Sequence, residues 1–232
     1  MEKNFDKFIM TLGIGILWAL IYGFIIEPSY LSSDVADDKE YMTIQEAILT
    51  EGFSVKIVGS SIKELQIITA PIKNEPCIII PAGTVLDSKN VSVQDLIVTK
   101  TDTICYEGVR TGFYAVSNIQ TACLEMDKDA PNYNDTTYNI LNITSDSELN
   151  CVVNYCDIED CPYPVKQAAV WILTNNANLK DMFKLREGFS SSWQSDDRPV
   201  IINENSVQEA IKILKKCGVD ILNRRISKDF PQ

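Results

Sequence analysis

The chain of 232 residues contains no histidine. This absence excludes a Ser-His-Asp or Cys-His catalytic set, because both need an imidazole as general base. It also excludes a metal site with histidine ligands and a switch that works through histidine protonation. No catalytic residue is therefore predicted from the residues that remain.

Positive charge is scarce as well. Lys and Arg together number 21, against 32 Asp and Glu, and the formal net charge is -11. Phosphate backbones are bound by clustered positive charge, so nucleic acid is not an expected partner. The sequence also lacks the GxSxG nucleophile elbow, the Walker phosphate loop and the GxGxxG dinucleotide motif. No cofactor is expected.

One long uncharged run is present at residues 8–26, FIMTLGIGILWALIYGFII. As a helix it would be ~28 Å long, which matches the hydrocarbon core of a bilayer. The alternatives are a buried core helix and a cleaved signal peptide, which usually has a shorter apolar region and a small-residue cleavage site. No such site precedes the acidic residues that start at Asp34, which favours an uncleaved signal anchor.

The charges around this run predict its orientation. Lys3 and Lys7 precede it, and every charged residue between it and Lys39 is acidic. The positive-inside rule then places the N-terminus in the cytoplasm and the rest of the chain outside a single-pass cell-membrane helix. The predicted organisation is a cytoplasmic stub and transmembrane signal anchor at 1–28, an acidic tether at 29–42 and an extracytoplasmic domain at 43–232.

All seven cysteines follow the apolar run. Disulfides are expected in an oxidising compartment, and an odd number leaves at least one cysteine outside the intrachain pairs. Cys217, near the end of a predicted helix, is interpreted as the unpaired one. The pairing of the others stays open; they are Cys77, Cys105, Cys123, Cys151, Cys156 and Cys161.

Three triplets fit the N-glycosylation pattern N-x-[ST], at Asn90, Asn134 and Asn142. In a host that glycosylates exported proteins, such triplets mark surface loops. They agree with a domain that lies outside the cell.

From Phe53 onward the sequence consists of short runs rich in Val, Ile, Thr and aromatic residues. Alternation of apolar and polar residues predicts strands with one buried face, and the spacing suggests an antiparallel sandwich or barrel. Pro81-Ala82-Gly83 is interpreted as a turn between strands. The predicted strand runs are FSVKIV, ELQIITA, CIII, VQDLIVTK, DTICYE, GFYAVSNIQTACLEM and TTYNILNIT.

Helix signals flank this region. Thr43-Ile-Gln-Glu46 is a capping box that predicts a short helix near 44–50. Pro164 suits the first turn of a helix at about 165–175, and a second capping box at 206–209 predicts a helix at about 207–217. The predicted fold class is α+β: an antiparallel β-sandwich-like domain with C-terminal helices, preceded by one N-terminal transmembrane helix.

Three evenly spaced cysteines, with acidic residues between them, form a C-x4-C-x4-C pattern at 151–161. Structural zinc normally has four ligands with tighter cysteine pairs, and no EF-hand loop for Ca²⁺ is present. Disulfides are therefore preferred and no metal ligand is predicted. A metal- or carboxylate-dependent envelope enzyme, with Asp157 and Glu159 as candidate residues, is kept as an alternative.

The motif Gln167-Ala-Ala-Val-Trp171, together with Cys123 in TACLEM, resembles the glutamine motif of the thioester domains of bacterial surface adhesins. The resemblance implies an internal thioester in which Gln167 is the acyl donor and Cys123 the thiol. Such a bond is an electrophile that amines on a target surface attack. The alternative is structural: Gln167 packs in the first helical turn and Trp171 belongs to the core.

A wider pattern is similar to uncharacterised prokaryotic exported domains. It comprises IPAGT at 80–84, VQDLIV from Val93, ACLEMDKDAP from Ala122, QAAVWILTNNA from Gln167 and a final capped helix that ends in Cys-Gly218-Val-Asp. This resemblance implies export and architecture but no activity.

These observations lead to three functional hypotheses. The first is a membrane-anchored extracytoplasmic binding or structural module of the cell envelope, whose partners are the membrane, through residues 8–26, and an unknown protein or glycan at the cell surface. The second is a covalent surface adhesin with the Cys123–Gln167 thioester. The third is the metal- or carboxylate-dependent enzyme.

Overall fold

The computed structural model describes residues 40–59, 61–70, 77–106, 114–131, 137–186 and 199–230. The predicted membrane helix at 8–26 and Asn134 lie outside these ranges, as does the tether except for residues 40–42. None of the helices within them has the length and apolar character needed to cross a membrane.

The described part of the chain contains nine strands. Their bounds are β1 Tyr41–Thr43, β2 Val55–Gly59, β3 Glu64–Thr69, β4 Cys77–Ile80, β5 Thr84–Ser88, β6 Leu96–Val98, β7 Asp102–Ile104, β8 Ala115–Cys123 and β9 Thr137–Ile143. Each predicted strand run contains one of them. β1 and β5 are the two strands that the apolar runs do not predict.

Six strands form a closed barrel in the order β2-β3-β8-β6-β5-β9, with antiparallel pairing throughout. The α+β class is confirmed, whereas the predicted sandwich is wrong. The barrel closes because β9 pairs with β2 on one side and β5 on the other, so that Tyr138 is the register partner of both Ile57 and Ser88. A sandwich and a barrel share the same apolar alternation, and only this long-range pairing distinguishes them.

The other three strands form a small sheet in the order β1-β4-β7. β1 runs parallel to β4, and β7 runs antiparallel to β4. β1 begins at Tyr41, so the folded region extends two residues into the predicted tether. The predicted turn at 81–83 connects β4 of this sheet to β5 of the barrel, with Thr84 N donating to Pro81 O at 3.2 Å.

The strand register defines which side chains fill the barrel. Successive residues of a strand point to opposite faces, and register partners share a face. Starting from Ile57, the pairs around the ring assign one continuous buried face to the interior. Its large members are Ile57, Leu65, Ile67, Ile119, Cys123, Leu96, Val98, Leu86 and Tyr138.

Five α-helices and two short 3-10 turns accompany the sheets in the described residues. The α-helices are α1 Ile44–Ile48, α2 Ser147–Ile158, α3 Tyr163–Thr174, α4 Leu179–Met182 and α5 Glu204–Lys216; the 3-10 turns are Ile221–Asn223 and Arg225–Lys228. α3 contacts β8, α2 and α5. A second apolar cluster, of Ile97, Ala122, Leu149, Val153 and Val170, joins the outer face of the barrel to α2 and α3.

The three predicted helices are all present, with bounds that differ from the prediction by up to three residues. The Thr43 capping box is present, since Glu46 N donates to Thr43 Oγ1 and Thr43 N donates to Glu46 Oε2. α5 starts three residues before the predicted position because Asn203, not Ser206, is its N-cap: Asn203 Oδ1 accepts from Ser206 N at 2.9 Å. The sequence analysis predicts no helix at α2, where the three evenly spaced cysteines are interpreted only as disulfide partners.

Four of the seven cysteines form two disulfides, Cys77–Cys105 and Cys151–Cys217. The first joins the ends of β4 and β7, and the second ties α2 to the C-terminal end of α5. The prediction that Cys217 is unpaired is therefore wrong: the end of α5 packs beside α2 and brings Cys217 to Cys151. Cys123, Cys156 and Cys161 remain as thiols.

Candidate functional site

A cavity of about 420 Å³ opens beside the C-terminal end of α3. This volume falls in the range of small-molecule sites, which is about 300–1,000 Å³. Apolar side chains and polar or charged side chains line it in a mixed pattern. The lining residues are Gln94, Met126, Asp127, Trp171, Asn175, Asp181, Lys184, Leu185 and Arg225.

Two asparagines after α3 hold the walls of this cavity together. Asn175, the C-cap of α3, accepts from Met126 N through Oδ1 at 3.2 Å and donates to Leu124 O through Nδ2 at 2.7 Å. The next residue, Asn176, adopts a left-handed conformation with φ 49° and accepts from Arg225 N at 2.9 Å. The loop after β8 and the last 3-10 turn are thus both fixed to the end of α3.

Two buried polar atoms on the cavity residues lack hydrogen-bond partners among the described residues: Oε1 of Gln94 and Nε1 of Trp171. The two residues are only 5% and 3% exposed, respectively. Gln94 Nε2 donates to Lys128 O at 3.0 Å, which fixes the amide and leaves Oε1 as a free acceptor. A buried unpaired polar group costs about 1–3 kcal/mol. Four further buried hydroxyls also lack partners among the described residues, those of Thr69, Thr99, Tyr106 and Thr121.

Asp181 organises the charges at the cavity. Its carboxylate accepts from Asn178 N and forms ion pairs with Lys184 at 3.2 Å and Arg225 at 3.0 Å. Burial raises the pKa of this carboxyl, but the Asn178 N–H and the two cations together hold the pKa of Asp181 below its ordinary value. With Asp127, the wall carries two carboxylates and two cations, so it has no formal net charge.

The second feature is the contact between Cys123 and Gln167, the pair that the thioester resemblance singles out. The side-chain amide of Gln167 binds both backbone groups of Cys123: Cys123 N donates to Oε1 at 2.8 Å, and Nε2 donates to Cys123 O at 2.9 Å. Tyr163, one turn earlier on α3, adds a third hydrogen bond by donating to Oε1 at 3.0 Å. Cys123 and Gln167 are both fully buried.

This amide continues the sheet beyond the start of β3. Thr121 N donates to Lys63 O, just before the first residue of β3. Cys123 lies two residues further along β8, so its backbone N–H and C=O face the same edge of the strand. No β3 residue lies opposite them there. The Gln167 amide offers the acceptor and donor that the next strand residue would have offered, and the buried edge of β8 is satisfied.

The Cys123 thiol points elsewhere. The register places its side chain on the interior face of the barrel, beside Tyr138. Burial raises the pKa of the thiol far above its ordinary value, so the thiolate is disfavoured. The Gln167 carbonyl lies in the hydrogen-bonding plane of the sheet, which is roughly perpendicular to the Cys123 side chain. Attack by sulfur would require the amide to leave its present hydrogen bonds.

Two of the three acidic residues at 157–160, Asp157 and Asp160, have structural partners, and the third, Glu159, is exposed. Asp157 Oδ2 accepts from the N–H of Thr101 at 3.1 Å and from its hydroxyl at 2.6 Å, and Asp160 forms an ion pair with Lys100 at 2.8 Å. Within the described ranges no group of three or more His, Cys, Asp or Glu residues is arranged to hold a metal ion.

Two of the three predicted glycosylation positions lie in described regions. Asn142 is exposed on β9, and half-buried Asn90 accepts through Oδ1 from the N–H and hydroxyl of Ser92. The cavity itself is not predicted from the sequence. The sequence predicts that Trp171 belongs to the core, but nothing in it indicates that the indole N–H is unpaired. Gln94 belongs to a predicted strand run and to no distinguishing motif.

The chain was compared with protein-family models, curated proteins and solved structures, and none of them matches it.

Proposed function

We propose that the chain is an extracytoplasmic binding module, anchored in a membrane by residues 8–26, whose ligand occupies the cavity beside α3. The observation that carries the proposal is the cavity itself, of about 420 Å³, whose wall combines apolar side chains with two carboxylates, two cations and the amides of Gln94 and Asn175. The two disulfides support the extracytoplasmic placement, because such bonds persist in oxidising compartments.

The cavity wall defines the chemistry of the ligand. A ligand that displaces the atoms covering Gln94 Oε1 and Trp171 Nε1 would donate to the first and accept from the second. The balanced charges of Asp127, Asp181, Lys184 and Arg225 favour a ligand without net charge. Sugar hydroxyl and acetamido groups both donate and accept, and Met126 and Leu185 offer apolar contact to the faces of a sugar ring. We therefore infer a glycan unit of one or two sugars as the ligand.

The test is a titration of the full chain in detergent micelles with a panel of uncharged mono- and disaccharides, including N-acetylhexosamines. Binding is followed through the indole N–H signal of Trp171 in ¹H–¹⁵N correlation spectra, assigned with a Trp171→Phe variant. A saturable shift of this signal is expected. A panel that leaves the signal unmoved at millimolar sugar would overturn the glycan assignment.

Two variants test the polar atoms separately. Gln94→Met removes the free acceptor and Trp171→Phe removes the free donor, and each should weaken binding roughly 5- to 30-fold, the effect of about 1–2 kcal/mol. Gln45→Met is the matched control, because Gln45 lies away from the cavity and bonds to Thr84 and Leu141 O. Equal loss of binding in the control would show that the effect is not local.

The covalent adhesin is the second candidate, and the Cys123–Gln167 contact is the observation that favours it. A thioester would form by attack of Cys123 Sγ on Gln167 Cδ with release of one ammonia. Intact mass of the non-reduced chain decides: loss of one ammonia, absent in Cys123→Ala, would support the adhesin. A full-mass chain with an alkylatable Cys123 would leave Gln167 with its structural role alone.

A further inference from the structure

The end of α2 carries two free thiols in one helix-capping motif. Cys161 N donates to Cys156 O at 3.0 Å, and Asp160 N donates to Asp157 O at 3.3 Å. Asp160 between them has the left-handed conformation, with φ 46°. These two bonds and this conformation define a Schellman motif, in which Cys156 and Cys161 hold the two positions whose side chains commonly touch.

The end of α5 shows what those positions do in this protein. Val219 N donates to Leu214 O at 3.0 Å, Gly218 N donates to Lys215 O at 3.1 Å, and Gly218 has φ 78°. Leu214 and Val219, at the positions equivalent to Cys156 and Cys161, are both buried in the main core. The same geometry on α2 places the Cys156 and Cys161 side chains in neighbouring positions, and the two thiols interact electrostatically.

No other cysteine competes for this pair in the folded chain. Cys77 is bonded to Cys105 and Cys151 to Cys217, while Cys123 is enclosed on the interior face of the barrel. We propose that Cys156 and Cys161 are a thiol–disulfide exchange site that forms a third disulfide. The seven cysteines then divide into three disulfides and one permanently buried thiol.

The order of the reaction follows from exposure. Cys161 is partly exposed, whereas Cys156 is 1% exposed. The Cys161 thiolate attacks an incoming low-molecular-weight disulfide and forms a mixed disulfide, with release of the first small thiol. Cys156 then loses its proton and attacks Cys161 Sγ, which releases the second small thiol. Burial raises the pKa of the Cys156 thiol, so this is the slower step. The protein pair loses two electrons and two protons, which the small disulfide gains.

The experiment uses the full chain in detergent micelles with oxidised glutathione as the disulfide. The reaction is stopped with acid, free thiols are blocked with N-ethylmaleimide in denaturant at mildly acidic pH, and linked peptides are mapped by mass spectrometry. The expected product has the Cys156–Cys161 link and one blocked cysteine, Cys123. Two blocked cysteines at 156 and 161, with Cys151–Cys217 intact, would overturn the proposal, as would a link from Cys161 to Cys151 or Cys217.

Three variants with single cysteine substitutions test the order of attack. In Cys156→Ser the glutathione adduct should accumulate on Cys161, while Cys161→Ser should form no adduct at Cys156 on the same timescale. Cys123→Ser is the matched control and should retain all three disulfides. An adduct on Cys156 in the folded Cys161→Ser chain would contradict the assigned order.

Discussion

At the scale of single residues, the side-chain amide of Gln167 replaces a strand residue as the hydrogen-bond partner of Cys123. Its amide occupies the edge of β8 just beyond the start of β3, and its Oε1 also accepts from Tyr163. A glutamine side chain is long enough to bring an amide from a helix to a sheet edge, and an amide matches the donor and acceptor of a backbone peptide. Helix α3 is thereby fastened to the barrel by polar contacts as well as by packing.

Gln167→Met should therefore be costly. It keeps the volume but leaves the buried N–H and C=O of Cys123 unpaired, and each such group costs about 1–3 kcal/mol. We expect the free energy of unfolding, from urea titration of the chain, to fall by about 2–4 kcal/mol. Gln45→Met, which removes the more exposed bonds to Thr84 and Leu141 O, should cost about 0.5 kcal/mol or less. Similar costs for the two variants would show that the Cys123 backbone finds another partner.

At the scale of elements, the turn at 81–83 determines how the chain passes from the small sheet into the barrel. Gly83 has φ 89°, and a Cβ there would lie 3.1 Å from Asn150 Oδ1 and 3.2 Å from Ile143 Cγ2. The turn thus combines a left-handed backbone with close approach to both β9 and α2. Glycine is the residue that meets both requirements.

The variants Gly83→Ala and Gly218→Ala separate these two requirements. Gly218 has φ 78°, and a Cβ there would meet no atom within 4 Å beyond its chain neighbours, so its replacement should cost about 1–2 kcal/mol for the left-handed conformation alone. Gly83→Ala should cost at least about 1 kcal/mol more, because Asn150 and Ile143 must also move. Thermal and urea unfolding of both variants measure the difference. Equal losses would mean that the neighbours of Gly83 yield without cost.

The elements are the most predictable part of this protein, because they depend on local signals. Apolar alternation locates β2 and β3, runs rich in Val, Ile and Thr locate β8 and β9, and a capping box locates α1. Closure of the barrel could not be predicted, since it depends on Tyr138 meeting both Ile57 and Ser88 from distant parts of the chain. The cavity could not be predicted either, and only the completed fold shows that polar atoms of Gln94 and Trp171 lack partners.

At the scale of the whole molecule, the disulfides restrain two large loops. Cys77–Cys105 spans a sequence separation of 28 and Cys151–Cys217 one of 66. In the chain-entropy account, closing loops of these lengths stabilises the fold by about 3.5 and 4.5 kcal/mol, respectively. The second disulfide stabilises the fold more because it connects α2 to a helix much later in the chain and so closes the longer loop.

Reduction should therefore lower the midpoint of thermal unfolding strongly. The paired variants Cys77→Ala with Cys105→Ala, and Cys151→Ala with Cys217→Ala, should each lose several kcal/mol in urea unfolding, with the larger loss in the second pair. Differential scanning calorimetry with and without a phosphine reductant provides the direct comparison. An unfolding midpoint that does not respond to reductant would contradict both disulfides and weaken the proposed extracytoplasmic location.

The closing strand of the barrel also has a consequence for how the protein is made. A nascent chain emerges from its N-terminal end, so β2 and β5 are produced well before β9 arrives to lie between them. Until then both strands present unpaired edges, the feature through which unfinished sheets associate with neighbouring chains. Synthesis interrupted before Thr137 would leave an aggregation-prone fragment, and the cell would have to shield that fragment or degrade it.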